Sequence, residues 1–244
     1  MNLFDKDTEA FYAKVLQILN DNKIPVLLGG TIAVMKYTGI NRPTKDLDIF
    51  CKAGDYLKII GIMQKHGLKT EITDARWIAK IFHKGIYVDL IFGTSEGLWH
   101  VEERWFKNAP PTNIFGIKAK LIPPVELIWS KAYVQDRSHY DGADIHHLIL
   151  KLGKELDWKK LLSRMEIHWE ILLAHLINFR FVYPSDREKV PKWIMHELIN
   201  RLNLQLTTPI PQQKVCRGPL ISRNQYMIDV EEWGYQDFHN PTQI

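Results

Sequence analysis

The fold is decided by residues 27–50, whose sequence is LLGGTIAVMKYTGINRPTKDLDIF. An apolar run ends at the glycine turn Gly29–Thr31, and apolar spacing typical of a helix continues from there to Gly39. A polar loop then leads into Asp46–Ile49, where polar and apolar side chains alternate at the period of a β-strand. We therefore predict a strand, a tight turn, a helix and a second strand, with both aspartates of that strand on one face.

Three carboxylates in the first half of the chain are candidate metal ligands. Asp46 and Asp48 are two positions apart, which places their Cα atoms roughly 6.6 Å apart on one strand face, so both could bind one or two hard cations. Asp89 lies in the otherwise apolar run Tyr87–Ile91. Because an unpaired carboxylate on a sheet is costly, three converging carboxylates predict bound Mg²⁺.

The glycine turn is a candidate anion site. Two residues without Cβ atoms let backbone N–H groups approach an anion, and the N-terminus of the following helix adds a positive potential, which suits a triphosphate. Taken alone, such a turn is more often plain chain geometry, and an Asp-x-Asp pair more often begins a solvated strand. The combination of the turn with Asp46, Asp48 and Asp89 is what indicates a functional site.

Apolar periodicity predicts an α+β fold, with a mixed α/β first half and a helical second half. In the first half, helices are predicted at 8–22 and 55–65, and strands at 24–28, 68–73, 77–83 and 86–92. From Pro123 onward the spacing is helical at 125–134, 143–152, 158–165, 169–181 and 190–202. Beyond Leu204 the chain is rich in Gln, Pro, Asn and Thr. We therefore expect three parts: a mixed-sheet domain at 1–121, which contains the glycine turn and the three carboxylates and is the candidate catalytic domain, a helical domain at 122–204 and an irregular tail at 205–244.

Composition narrows the class of protein. The 244 residues are 45% hydrophobic and 25% charged, which excludes a disordered or collagen-like chain. The net charge of +4 is far below that of a dedicated duplex-DNA binder, although it allows an anionic ligand. The two cysteines are too few for a disulfide framework. An acidic N-terminus and the absence of an 18-residue apolar run favour a cytoplasmic protein with no membrane segment.

In their order along the chain, the glycine turn, the Asp46–Asp48 pair and Asp89 resemble the signature of the DNA polymerase β-like nucleotidyltransferase superfamily. The chain is similar, over about residues 10–150, to the bacterial AbiEii-type and related uncharacterised stand-alone nucleotidyltransferases. The resemblance implies transfer of an NMP from an NTP, such as ATP, to an acceptor hydroxyl, with release of pyrophosphate. It also implies two Mg²⁺ ions, one held by all three aspartates and one by Asp46 and Asp48, with Asp89 as the proton acceptor.

Cationic residues are the other candidates for the nucleotide site. Lys131, followed by Asp141-x-x-Asp144, matches a helical lysine of the resembling group and could neutralise the triphosphate; the alternative is a solvated helix lysine. Arg42 and Lys45 flank the carboxylate strand and could steer nucleotide or pyrophosphate, or be plain surface charge. The resemblance and the turn together give six expected nucleotide-binding residues: Gly29, Gly30, Thr31, Arg42, Lys45 and Lys131.

The acceptor stays open at this point, between the 3′ end of a tRNA or other RNA, a protein hydroxyl and a small molecule such as an antibiotic. A basic stretch could follow an RNA backbone, although such runs are usually solvated helix faces: Lys151, Lys154, Lys159, Lys160 and Arg164. Toxin-like action with an antitoxin partner rests on family analogy alone. The alternatives to an enzyme are an inactive nucleotide- or RNA-binding module of the same fold and a purely structural interaction protein; the intact carboxylates argue against the module.

Overall fold

A computed structural model describes residues 4–238 of the chain. Residues up to Pro123 form one compact unit, and residues from Pro124 form a second. The first unit combines a mixed sheet with helices, and the second is largely helical. The predicted α+β class is therefore confirmed, whereas the functional roles of the three parts of the chain remain a proposal.

The centre of the first unit is a five-stranded sheet in the order β1-β2-β5-β4-β3. Its strands are β1 (Leu27–Leu28), β2 (Leu47–Phe50), β3 (Lys69–Asp74), β4 (Ile78–His83) and β5 (Ile86–Ile91). Strands β2 and β5 are parallel, and the other neighbouring pairs are antiparallel. Two strands that are distant in the sequence therefore become direct neighbours in the middle of the sheet.

Helices and a hairpin complete the first unit. The helices are α1 (Lys6–Asp21), α2 (Gly30–Thr38), α3 (Tyr56–Lys65) and α4 (Glu103–Lys107), and the hairpin strands are β6 (Pro111–Ile114) and β7 (Ile117–Lys120). Helix α1 begins after Asp5, whose carboxylate accepts a hydrogen bond from the backbone N–H of Thr8. Leu47 and Ile49 are fully buried and Asp48 is partly exposed, as the alternation in β2 predicts.

The second unit contains six α-helices and one small pair of strands among its described residues. The helices are α5 (Pro124–Ala132), α6 (Gly142–Leu152), α7 (Trp158–Arg164), α8 (Trp169–Val182), α9 (Lys192–Thr207) and α10 (Pro219–Glu231), and the strands are β8 (Val215–Cys216) and β9 (Gln236–Asp237). Between Phe4 and Phe238, none of the helices is long and apolar enough to cross a membrane.

The expectation of an irregular tail is wrong for α10. Polar composition favoured irregular structure, but tertiary contacts override it here. The Ser222 hydroxyl donates a hydrogen bond to Asp136, and the Gln225 side-chain oxygen accepts one from the backbone N–H of Arg137. Leu220 is buried beside them. Residues 239–244 of the predicted tail lie outside the described residues.

Candidate active site

The sheet places the predicted carboxylates Asp48 and Asp89 side by side, with Asp46 two positions before Asp48. In the parallel register of β2 and β5, Asp48 lies directly opposite Asp89, and neighbouring strands in a sheet are about 4.8 Å apart. Asp46 precedes β2 and shares the face of Asp48 by the two-residue period. We call Asp46, Asp48 and Asp89 the carboxylate row.

Asp89 is the most deeply buried member of the carboxylate row, with 8% of its surface exposed. Burial raises the pKa of Asp89, and the charge of Asp46 raises it further, while the ammonium of Lys80 acts in the opposite direction. The Nζ atom of Lys80 lies 2.5 Å from Asp89 Oδ1. A carboxylate held in this environment requires a cation beside it to stay charged.

Lys80 is a site residue that the sequence analysis missed. It lies on β4 opposite Asp89 in the antiparallel register, so Asp48, Asp89 and Lys80 form one row across three strands. Its Nζ atom is also 4.0 Å from the centre of the Tyr87 ring. The signal that could have found Lys80 is its position as a single cation inside the apolar run Ile78–Phe82.

Two hydroxyl groups support the loop that precedes β2. The Thr44 hydroxyl donates a hydrogen bond to Asp46 Oδ1 at 3.1 Å. The hydroxyl of Tyr12, a fully buried residue of α1, donates to the backbone oxygen of Lys45 at 3.5 Å. Burial raises the pKa of Tyr12, and the nearby charges of Asp46, Asp48 and Asp89 add to this effect. Tyr12 therefore stays a neutral phenol and a hydrogen-bond donor.

The glycine turn packs directly against the carboxylate row. The backbone N–H of Gly29 donates to the backbone oxygen of Asp48 at 3.0 Å. Gly30 has a φ of +50°, and a Cβ atom there would overlap the Asp48 side-chain oxygen Oδ2. Helix α2 starts at this point, and no capping side chain accepts a hydrogen bond from its first backbone N–H groups. A turn without Cβ atoms beside carboxylates is suited to a phosphate that is bound together with a cation.

Replacing Gly30 by alanine should destabilise the protein more than replacing Gly39, which has a similar φ of +76° but no atom within 4 Å of the point that a Cβ atom would occupy. The backbone strain alone costs about 1 kcal/mol or more at either position. The overlap with Asp48 adds about 1 to 3 kcal/mol at Gly30 only. Thermal unfolding of Gly30→Ala and Gly39→Ala measures the difference, and equal losses would contradict the tight contact with Asp48.

Lys131 belongs to a buried ion cluster in the second unit. Its Nζ atom lies 2.9 Å from Asp141 Oδ2 and 2.9 Å from Asp144 Oδ2, and only 8% of the residue is exposed. Burial acts against its charge, but the two aspartates outweigh burial and raise the pKa of Lys131. The interpretation of Lys131 as a solvated helix lysine is therefore wrong, because Asp141 at the start of α6 and Asp144 in its first turn both contact the ammonium. Its predicted role toward a triphosphate stays a prediction.

The sequence matches a known family over residues 8–172, and that family is described as "Nucleotidyl transferase of unknown function (DUF2204)". The match covers more than half of the chain. The chain belongs to this nucleotidyltransferase family. The prediction that the chain is a nucleotidyltransferase, and therefore an enzyme, is thereby confirmed.

Several solved structures are similar to this nucleotidyltransferase. The antibiotic-resistance factor ANT(2″)-Ia is 16% identical, with a TM-score of 0.49 over 70% of this chain and 98% of that one. The lincomycin-bound lincosamide antibiotic adenylyltransferase LnuA is 22% identical, with a TM-score of 0.43 over 60% and 98%. An antigenic nucleotidyltransferase-like protein from Paracoccidioides brasiliensis is 16% identical, with a TM-score of 0.45 over 77% and 95%. No curated protein matches the sequence.

The carboxylate row of the nucleotidyltransferase has the chemistry of a hard-cation site. Among residues 4–238, no three carboxylate, imidazole or thiolate groups are already assembled around one point. The positive charge beside Asp89 is supplied by the ammonium of Lys80. Oxygen donors on adjacent strands, with a cation already next to one of them, fit a divalent ion such as Mg²⁺.

The remaining predicted cations of the nucleotidyltransferase divide into two groups. Arg42 and Lys45 lie in the loop before β2, Arg42 half-buried and Lys45 exposed, and their roles toward nucleotide stay predictions. In the second unit, Lys160 Nζ and Arg164 Nη2 lie 2.7 and 3.1 Å from the fully buried Glu126. The predicted basic stretch is therefore not one solvated face, because two of its five cations are held by a buried carboxylate.

Proposed function

We propose that this nucleotidyltransferase moves an NMP from an NTP to an acceptor hydroxyl in a Mg²⁺-dependent reaction. The observation that carries the proposal is the register that places Asp48 opposite Asp89, with Gly30 packed against Asp48. A glycine turn next to strand carboxylates provides a phosphate site and a cation site in one place. This arrangement matches what transfer from a triphosphate requires.

The chain's own residues divide the work of this reaction. Asp46, Asp48 and Asp89 would hold Mg²⁺, which supplies charge stabilisation for the triphosphate and acidifies the acceptor hydroxyl. The N–H groups at the start of α2 would bind phosphate oxygens. The acceptor oxygen forms a bond to the α-phosphorus while the bond from that phosphorus to pyrophosphate breaks. Asp89 would take the proton of the hydroxyl, which is the role that the resemblance implies for it.

The acceptor class is a proposal in three forms: the 3′ end of a tRNA or other RNA, a protein hydroxyl, or a small molecule. ANT(2″)-Ia is named as an antibiotic-resistance factor, and LnuA as a lincosamide antibiotic adenylyltransferase. Of the three proposed acceptors, the small molecule agrees with those names. ATP as the donor, toxin-like action, an antitoxin partner and a cytoplasmic location remain predictions from the sequence.

A second candidate function is a nucleotide- or RNA-binding module that has lost catalysis. The observation that favours it is the ion pair between Lys80 and Asp89, which occupies a carboxylate that the reaction would use. Such a module would bind NTP in the presence of Mg²⁺ and release no pyrophosphate.

The test is pyrophosphate release from each of the four NTPs with Mg²⁺, in cell extract that contains RNA, protein and metabolites. We expect release from at least one NTP, and loss of release in Asp46→Asn/Asp48→Asn. Labelled NTP then identifies the acceptor by the fraction that carries the label. Equal release by the wild type and the double variant would contradict the proposal. NTP binding that depends on Mg²⁺, without release from any NTP, would favour the binding module.

A further inference from the structure

Lys80 is paired with Asp89, a carboxylate that would hold the metal ion in the proposed function. Its ammonium is 2.5 Å from Asp89 Oδ1, and the strand registers place both residues in one row with Asp48. The Lys80 side chain is 23% exposed, whereas that of Asp89 is 11% exposed. The carboxylate is therefore the more buried partner of this pair, and the lysine on the neighbouring strand is the more exposed one.

We propose that Lys80 is a positioning residue that holds Asp89 in the metal-free protein and releases it when a divalent cation binds. This inference rests on the proposed function. A buried carboxylate stays ionised only with a cation beside it, and in the metal-free protein Lys80 is that cation. Lysine suits this role because its charge is compact and its four-carbon stem is flexible, whereas an arginine would bind the carboxylate in a fixed fork.

The surroundings of Lys80 offer its ammonium interactions other than the ion pair with Asp89. Its Nζ atom is already 4.0 Å from the centre of the Tyr87 ring, an interaction that a displaced ammonium can keep. The triphosphate of a bound nucleotide would offer the ammonium a further negative partner. Moving the Lys80 ammonium away from Asp89 therefore requires more free energy in the nucleotide-free protein than in the nucleotide complex. The metal should bind weakly to the free enzyme and more tightly to the nucleotide complex.

The experiment measures Mn²⁺ binding to the full-length protein in the absence of nucleotide, from the electron paramagnetic resonance signal of free Mn²⁺. Lys80→Met removes the charge and keeps the length of the side chain. We expect it to tighten Mn²⁺ binding by about tenfold or more, since a competing unit charge a few ångströms away is removed. The matched control is Lys69→Met on β3, an exposed lysine over the ring of Phe82, and it should leave Mn²⁺ binding unchanged.

Thermal unfolding gives a second measurement that does not depend on activity. In EDTA, Lys80→Met should unfold at a lower temperature than the wild type, because Asp89 has lost its ammonium. Mn²⁺ should raise the unfolding temperature of Lys80→Met more than that of the wild type. The double variant Lys80→Met/Asp89→Asn should regain part of the stability in EDTA. Lys80→Gln, which can still donate a hydrogen bond, serves if the methionine variant does not fold.

The outcomes separate this inference from the proposed function. Wild-type Mn²⁺ binding that is lost in Asp48→Asn, together with equal or weaker binding by Lys80→Met and Lys80→Gln, would overturn the role of Lys80 alone. Absence of Mn²⁺ binding in the wild type and in every Lys80 variant, with and without NTP, would overturn the metal site and the proposed function together. Tighter binding by the Lys80 variants, with Lys69→Met unchanged, supports the inference.

Discussion

Asp48→Asn is expected to lower kcat/KM for nucleotidyl transfer by about a thousandfold or more, because metal-held charge stabilisation is worth several kcal/mol. Asp48 is the central member of the carboxylate row, opposite Asp89 and in contact with Gly30. Asparagine has nearly the same shape, so the contact with the glycine turn should survive while the charge is lost. The measurement is steady-state pyrophosphate release with the NTP and acceptor that the extract experiment identifies.

The matched control for Asp48→Asn is Asp74→Asn, on β3 of the same sheet. Asp74 forms its ion pair with the exposed Arg76, with 2.6 Å between Oδ2 and Nη2, and takes no part in the carboxylate row. Asp74→Asn should keep at least half of the wild-type kcat/KM. Both Asp74→Asn and Asp48→Asn should unfold near the wild-type temperature. More than a tenth of wild-type activity in Asp48→Asn would remove the carboxylate row from the mechanism.

The part of the site that could be predicted from the sequence is the part encoded by local patterns. The alternation in Asp46–Ile49 decides which side chains face the core, and the glycine turn is marked by residues that tolerate its backbone. The burial of Leu47 and Ile49 and the positive φ of Gly30 agree with those predictions. Local periodicity is sufficient here because each feature depends on residues only a few positions apart.

The features that the sequence did not predict depend on contacts between distant residues. Lys80 joins the site only through the register of β4 on β5 and of β5 on β2. Helix α10 is fixed by two hydrogen bonds that its polar composition does not reveal: Ser222 donates one to Asp136, and Gln225 accepts one from the backbone N–H of Arg137. Register and tertiary pairing are set by the whole fold, so a single sequence indicates them weakly.

Lys131→Met is expected to lower the free energy of unfolding by about 3 to 5 kcal/mol, because breaking a buried ion pair leaves charge without its partner. Asp144 is only 2% exposed, and both Asp141 and Asp144 have an oxygen 2.9 Å from the Lys131 ammonium. Methionine fills a similar volume, so the loss should come from charge rather than from a cavity. Urea unfolding followed by tryptophan fluorescence measures the change.

The control is Lys151→Met, an exposed lysine on α6, which should change the free energy of unfolding by less than about 0.5 kcal/mol. The triple variant Lys131→Met/Asp141→Asn/Asp144→Asn removes all three charges and should recover most of the loss. A loss below about 1 kcal/mol in Lys131→Met would mean that the cluster is not a structural requirement. If Lys131→Met also loses nucleotidyl transfer, and the triple variant regains stability but not transfer, the charged cluster would be assigned to the reaction, because loss of stability would no longer account for the loss of transfer.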